Sequence, residues 1–175
     1  MSLLSPPHSF DPKPFTQDLH LVVEITQQLL DVYQGEVLIQ RFPVSTALNG
    51  PGEQEGSGCT PRGWHRVRAR IGANLPEGAV LVGRRHTGEI YTPELARQFP
   101  ERDWILSRIL WLCGLEPGKN RGGSVDTMRR YIYIHGTPDS EPMGVPKSHG
   151  CIRMRNQDVI RLFDMVTPGT PVLIR

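Results

Sequence analysis

The run RYIYIHG at residues 130–136 sets Ile132 and Ile134 against Tyr131, Tyr133 and His135 in strict alternation. A period of two belongs to an extended strand, whose successive side chains point to opposite faces. The isoleucines therefore share one face, and His135 ends the strand on the other. Other runs ask for the same geometry. LHLVVEI (19–25) and QLLDVYQGEVLIQRFPVST (28–46) are apolar and β-branched, with a tight turn at Gln34-Gly35, and WHRVRARIG (64–72) alternates as a half-exposed strand. A further strand pair is expected around Ala79 to Val82 and Glu89 to Tyr91, and TPVLIR reads as a closing strand. DWILSRILWLC (103–113) fits either periodicity, and its β-branched and aromatic content favours strand.

One segment breaks the pattern. NQDVIRLFDMV (156–166) places Val159, Leu162, Phe163 and Val166 at helical spacing, with Asn156 expected as N-cap and Pro168-Gly169 as the stop. NGPGEQEGSGCTPRG (49–63) and GLEPGKNRGGS (114–124) are glycine-rich loops, the second long enough to serve as a flap over a site. A chain of 175 residues buries about 70% of its unfolded surface, enough for one core. The expected organisation is a flexible Pro-rich leader at 1–18 and one domain at 19–175.

Charge and composition exclude several classes. Twenty Lys and Arg against eighteen Asp and Glu give +2, without blocks of like charge, so no nucleic-acid footprint is indicated. No apolar run approaches a membrane span. The opening MSLLSPPHSFDPKPF lacks a charged, apolar and small-residue signal pattern, so a cytoplasmic location is expected. If a longer chain has been shortened, the periplasm or cell envelope is the alternative. Three cysteines, Cys59, Cys113 and Cys151, cannot complete a disulfide framework and show no zinc-ribbon spacing.

Cys151 sits in KSHGCIRMRN (147–156), two residues after His149 and sixteen after His135, with Lys147, Arg153 and Arg155 nearby. A thiol attacks carbonyls as thiolate, so a nucleophilic cysteine needs a base or a positive field, and this stretch offers both. Arg153 adds charge, and Gly150 lets the backbone turn sharply so that N–H groups approach a developing oxyanion. Two other readings stand beside this one: a small buried thiol, and a metal ligand together with His135 and His149, which lacks the HExxH pattern or a carboxylate pair. His149 itself admits a catalytic role or a purely structural bond that shapes the turn.

HGTPDSEPMGVPKSHGCIRM (135–154) resembles the YkuD family of L,D-transpeptidases, whose signature is an HGT segment followed after a gap by S/T-H-G-C. TPRG (60–63), the strand-rich start and the terminal GTPVLI extend the likeness over nearly the whole chain after about residue 18. The resemblance implies a mainly β (α+β) fold, a YkuD-like β-sandwich with a short C-terminal helix after the catalytic loop. It implies that Cys151 attacks the carbonyl of the third residue, usually meso-diaminopimelate, of a peptidoglycan stem tetrapeptide or muropeptide and expels the terminal D-alanine. His135 would activate the thiol and protonate the leaving amine, and the Gly136 carbonyl would orient its ring. His149 and Gly150 would shape the loop, the N–H groups of Gly150 and Cys151 would form the oxyanion hole, and Arg153, Ser148 and Thr137 would meet the substrate. No metal and no cofactor are expected. Pro138 and the PMG at 142–144 depart from the family pattern, and residues 94–129 are expected to be a substrate-facing insertion.

The thioester can pass to water, giving an L,D-carboxypeptidase of wall recycling, or to an amine, giving an L,D-transpeptidase that forms 3→3 crosslinks. With no export signal seen, the carboxypeptidase is preferred. A non-catalytic peptidoglycan-binding domain is the alternative of another class, and sortase-like transpeptidation is disfavoured by the contiguous SHGC.

Overall fold

A computed structural model of the protein describes residues 19–175, so the expected leader at 1–18 lies outside the described residues. The apolar opening gives three strands, β1 (Leu19–Glu24), β2 (Leu29–Gln34) and β3 (Val37–Pro43). The chain continues through β4 (Gly63–Ile71), β5 (Ala79–Val82), β6 (Arg85–Ile90), the short helix α1 (Pro93–Gln98) and β7 (Ile105–Gly114). Then follow β8 (Tyr133–Thr137), β9 (Ile152–Arg155), α2 (Asn156–Met165) and β10 (Pro171–Ile174). None of the helices of the described residues is long and apolar enough to cross a membrane.

Hydrogen bonding joins the strands in the order β3-β2-β1-β10-β4-β7-β5-β6, with β8 branching from β7 and carrying β9 in parallel. β7 is the branch point. It pairs with β4 and β5 and also with β8, so the sheet divides there into layers that close over a shared core. That core takes Leu21, Val23, Leu30 and Val32 from β1 and β2, Leu110 and Leu112 from β7, and Ile134, Ile152 and Met154 from β8 and β9. Val159, Leu162 and Phe163, the apolar stripe of α2, seal it. Fully burying each such side chain contributes about 1.5–3 kcal/mol relative to leaving it exposed.

Several expectations change in detail. The strand expected over 130–136 starts at Tyr133, because Tyr131 takes a positive φ of 55° and turns the chain into the sheet. Residues 94–129 are not an insertion, since they contain β7, whose inward side chains complete the core. The loop at 114–124 is not a flap over Cys151: Glu55 N–H donates to Ser124 O, tying it to the other glycine-rich loop. Asn156 is the first residue of α2 rather than its cap, which falls on Arg155 without a side-chain bond. Its amide turns inward instead, donating to Thr137 O (2.9 Å) and accepting from Ser107 Oγ (2.6 Å). Ser107 reaches it from an irregularity between Leu106 and Ile109, with φ at 70°.

Candidate functional site

Parallel pairing of β8 and β9 sets His135 opposite Arg153 and Ile134 opposite Ile152. Period-two alternation does the rest. Ile134, Ile152 and Met154 enter the core, whereas Tyr133, His135, Cys151 and Arg153 share the other face. There they line a groove of about 560 Å³ with Arg84, Asp103 and Arg130 among its walls. The loop holding Cys151 is fixed by its own polar atoms and by the 49–63 loop. Ser148 Oγ donates to Cys151 O and accepts from Gly150 N–H (3.2 Å), and Thr60 Oγ1 donates to Gly150 O (2.9 Å). Gly150 takes φ +136°, where a Cβ would crowd Ile132 Cδ1 and the Cys59 carbonyl.

The His135 ring is buried, and its Nδ1 lies 2.7 Å from Gly136 O. A carbonyl can only accept, so in the neutral ring Nδ1 carries the proton and Nε2 is left as a base. Gly136 itself must lack a side chain, because a Cβ there would overlap Leu106 O and Asn156 Oδ1. Desolvation holds the His135 imidazole below its ordinary range, outweighing the Gly136 bond and the Asp103 charge that favour its protonation.

The Cys151 sulfur is half-buried, accepts from Tyr133 N–H at 3.3 Å and faces Tyr131 O at 3.5 Å. Burial pushes its thiol up to about 12, with the Tyr133 bond, Arg153 and Arg130 pulling the other way and Asp103 adding to the rise. Desolvation thus works against the charged form of both groups. At Cys151, desolvation outweighs the opposing pull of the Tyr133 bond and the arginines.

Arg153 is not presented to solvent. Its side chain, 10% exposed, lines the groove, pairs with Asp103 at 3.1 Å and lies 4.0 Å from Glu141. Its neighbour His149 is 79% exposed at the side chain, 3.7 Å from Asp103, on the rim between the groove and a smaller cleft. Thr137 is buried, its carbonyl accepting from Asn156 Nδ2, and the Ser148 hydroxyl is engaged within its own loop as donor to Cys151 O and acceptor from Gly150 N–H. Gly150 N–H is already given to Ser148, which narrows the expected oxyanion donors to Cys151 N–H.

Sequence reasoning missed Asp103, Arg84, Tyr133 and Arg130. Asp103 ends an exposed turn, and nothing in the local sequence links it to Arg153 fifty residues on. Arg84 sits at φ 65°, donates to Tyr133 Oη (3.0 Å) and lies over the rings of Trp111 and Tyr131 at 4.5 and 5.2 Å. Arg130 crosses from β8's approach to donate to Cys59 O (2.7 Å). Tyr133 alone carried a signal, since the alternation already put it on the face of His135. Among the described residues, no cluster of three or more His, Cys, Asp or Glu side chains could hold a metal ion.

Residues 18–174 match the family described as YkuD, L,D-transpeptidase catalytic domain. The "Probable L,D-transpeptidase ErfK/SrfK" of Escherichia coli is 27% identical over 164 residues, which is 92% of this chain and 45% of that protein. The solved L,D-transpeptidase of Mycobacterium smegmatis superposes with a TM-score of 0.54 at 20% identity, over 90% of this chain and 58% of that one. An L,D-transpeptidase solved in complex with imipenem, LdtMt1, gives a TM-score of 0.52 at 18% identity over the same shares. The chain thus spans about half the length of these relatives, and the structural likeness establishes the fold.

Proposed function

The chain belongs to the L,D-transpeptidase catalytic domain family, and on that premise we propose that Cys151 forms a thioester with a peptidoglycan stem peptide. His135 Nε2 takes the thiol proton as sulfur attacks the carbonyl of the third residue, so charge develops only when the bond forms. Collapse of the tetrahedral intermediate breaks the amide bond, and His135 returns the proton to the departing D-alanine amine. The Cys151 N–H faces the developing oxyanion. Gly136 O keeps the ring in the required tautomer throughout, the part a third group plays in a triad.

The single observation that carries this reading is the shared groove of Cys151 and His135, with Nδ1 engaged and Nε2 left as a base. Water is the acceptor we assign, which makes the protein an L,D-carboxypeptidase. Arg84 and Arg130 line the groove while the Asp103 charge is met by Arg153, so an incoming ammonium group faces a positive field that water does not. Incubation with disaccharide-tetrapeptide, followed by mass spectrometry, tests this. The tripeptide with free D-alanine is the expected product, and a dominant crosslinked dimer would reassign the acceptor to an amine. By kinship with the imipenem-bound relative, imipenem is expected to add covalently to Cys151, and the adduct is read by intact mass.

A further inference from the structure

The face that carries Cys151 does not end at its groove. On β7, Trp111 and Cys113 point to the same side as Ile109, which packs in the cluster containing Tyr133 and Cys151. Cys113 pairs with Arg66 of β4, and Arg68 stands in the irregularity between Val67 and Ala69, its guanidinium 5.5 Å from the Trp111 ring. Trp111 therefore lies between Arg68 on one side and the groove's Arg84, at 4.5 Å, on the other. Past it, Arg66, Arg68 and Arg121 surround a pocket of about 120 Å³ floored by Cys113 and Gly114. All three arginines are exposed, and among the described residues none has a carboxylate partner, although eight other basic side chains do. The one acid in the lining, Asp126, gives both oxygens to backbone N–H groups, of Gly122 (2.7 Å) and Arg129 (2.9 Å).

We infer that Arg66, Arg68 and Arg121 form an oxyanion subsite on the same sheet face as Cys151, which holds a phosphate or carboxylate carried by the substrate beyond its peptide stem. The volume is well below that of pockets for whole small molecules, about 300–1,000 Å³, and suits a compact anion. Arg68 and Arg121 offer the forked donors such an anion accepts, and Arg66, whose Nε is given to Cys113 Sγ (3.3 Å), adds its terminal N–H groups. Distance selects which part of the substrate supplies it. The Cys151 sulfur lies 3.3 Å from Tyr133 N and so sits over β8, two strand spacings of about 4.8 Å from β4, which puts the base of the arginines roughly 10 Å from it. Three stem residues leading away from the scissile bond cover about 10 Å when extended. The anion then belongs to the saccharide end, with the Trp111 and Arg84 ridge passing beneath the intervening chain. This inference rests on the acyl-transfer reading for its substrate and on the sheet geometry for its site.

The test compares disaccharide-tetrapeptides whose reducing sugar is a phosphate ester, an oxidised carboxylate or a neutral alditol. With the native protein, the charged forms are expected to show KM at least about tenfold below the alditol at equal kcat. Arg66→Gln/Arg68→Gln/Arg121→Gln is expected to erase that difference while leaving alditol turnover unchanged; whichever charged form loses more identifies the anion. Calorimetric titration of the same compounds into Cys151→Ala reads binding without turnover, and thermal melts with Arg121→Gln alone guard against misfolding. Arginine-dependent binding in the absence of any turnover would uphold the subsite and remove the acyl-transfer reading. Turnover with equal KM for all three compounds, unchanged by the triple substitution, would overturn the subsite and leave that reading in place.

Discussion

The two faces of β8 and β9 are built from alternate residues of the same ten-odd positions, yet they obey different physics. Toward the core, Ile134, Ile152 and Met154 are fully buried among aliphatic neighbours, where stability follows area and shape. Toward the groove, His135 and Cys151 are desolvated titratable groups held against their charged forms. A one-residue slip in the β8–β9 pairing would exchange the two sets, so the core face fixes the register on which the reactive face depends. Burial on one side stabilises the fold; on the other it disfavours the charged forms of His135 and Cys151.

Breaking the reactive face has the largest expected effect. Cys151→Ala is expected to lower turnover by at least about 10⁴-fold and to abolish the imipenem adduct, with an unchanged denaturation midpoint. His135→Asn is expected to cost about 10²–10⁴-fold in kcat/KM, whereas His149→Ala, at an exposed rim position, should stay within about tenfold. Equal losses at the two histidines would remove the distinction between base and rim.

Breaking the core face should do the reverse. Ile152→Ala deletes a fully buried side chain between Cys151 and Arg153 and is expected to cost about 2–5 kcal/mol in urea denaturation. A loss of activity at low temperature, where the variant is still folded, would show that the register itself has been disturbed.

Each face also holds a buried neutral histidine, which sharpens the contrast. His65, on the core side of β4, bonds Gly63 O and Thr127 Oγ1 and is lowered to about 4 by desolvation. The unfolded chain takes up this proton at a higher pH than the fold does. Stability from His65 is therefore complete above pH about 6.5 and falls as pH drops towards 4, by about 3 kcal/mol. Urea midpoints at pH 7 and pH 4.5 check it, and His65→Gln should flatten the slope without touching kcat/KM at pH 7.

The smallest effect concerns the charge between the two clefts. Asp103 raises the Cys151 thiol, so Asp103→Asn should move the pH profile of Cys151 alkylation to lower pH. An unmoved profile would mean that the Asp103 charge does not act on the sulfur.

Local patterns carried much of this molecule. The alternation at 130–136 placed His135 opposite the isoleucines, and the spacing over 156–166 announced α2, because side-chain direction in a strand or helix depends only on position along the chain. The SHGC and HGT segments carried the family for the same reason: their geometry is short-range. The role of Asn156 was misjudged because a capping side chain and one that bridges Ser107 to Thr137 look alike in sequence.

What the sequence by itself determined is the set of strands, the terminal helix and the motifs that carry Cys151 and His135. Only tertiary structure decided that β7 is a core strand, that Arg153 faces Asp103, that burial raises the Cys151 thiol, and that arginines from β4 and the 115–122 loop gather beyond Trp111. The physical reason is range. Periodicity is set by neighbours along the chain, whereas ion pairing and desolvation are set by atoms that approach only after the sheet has closed.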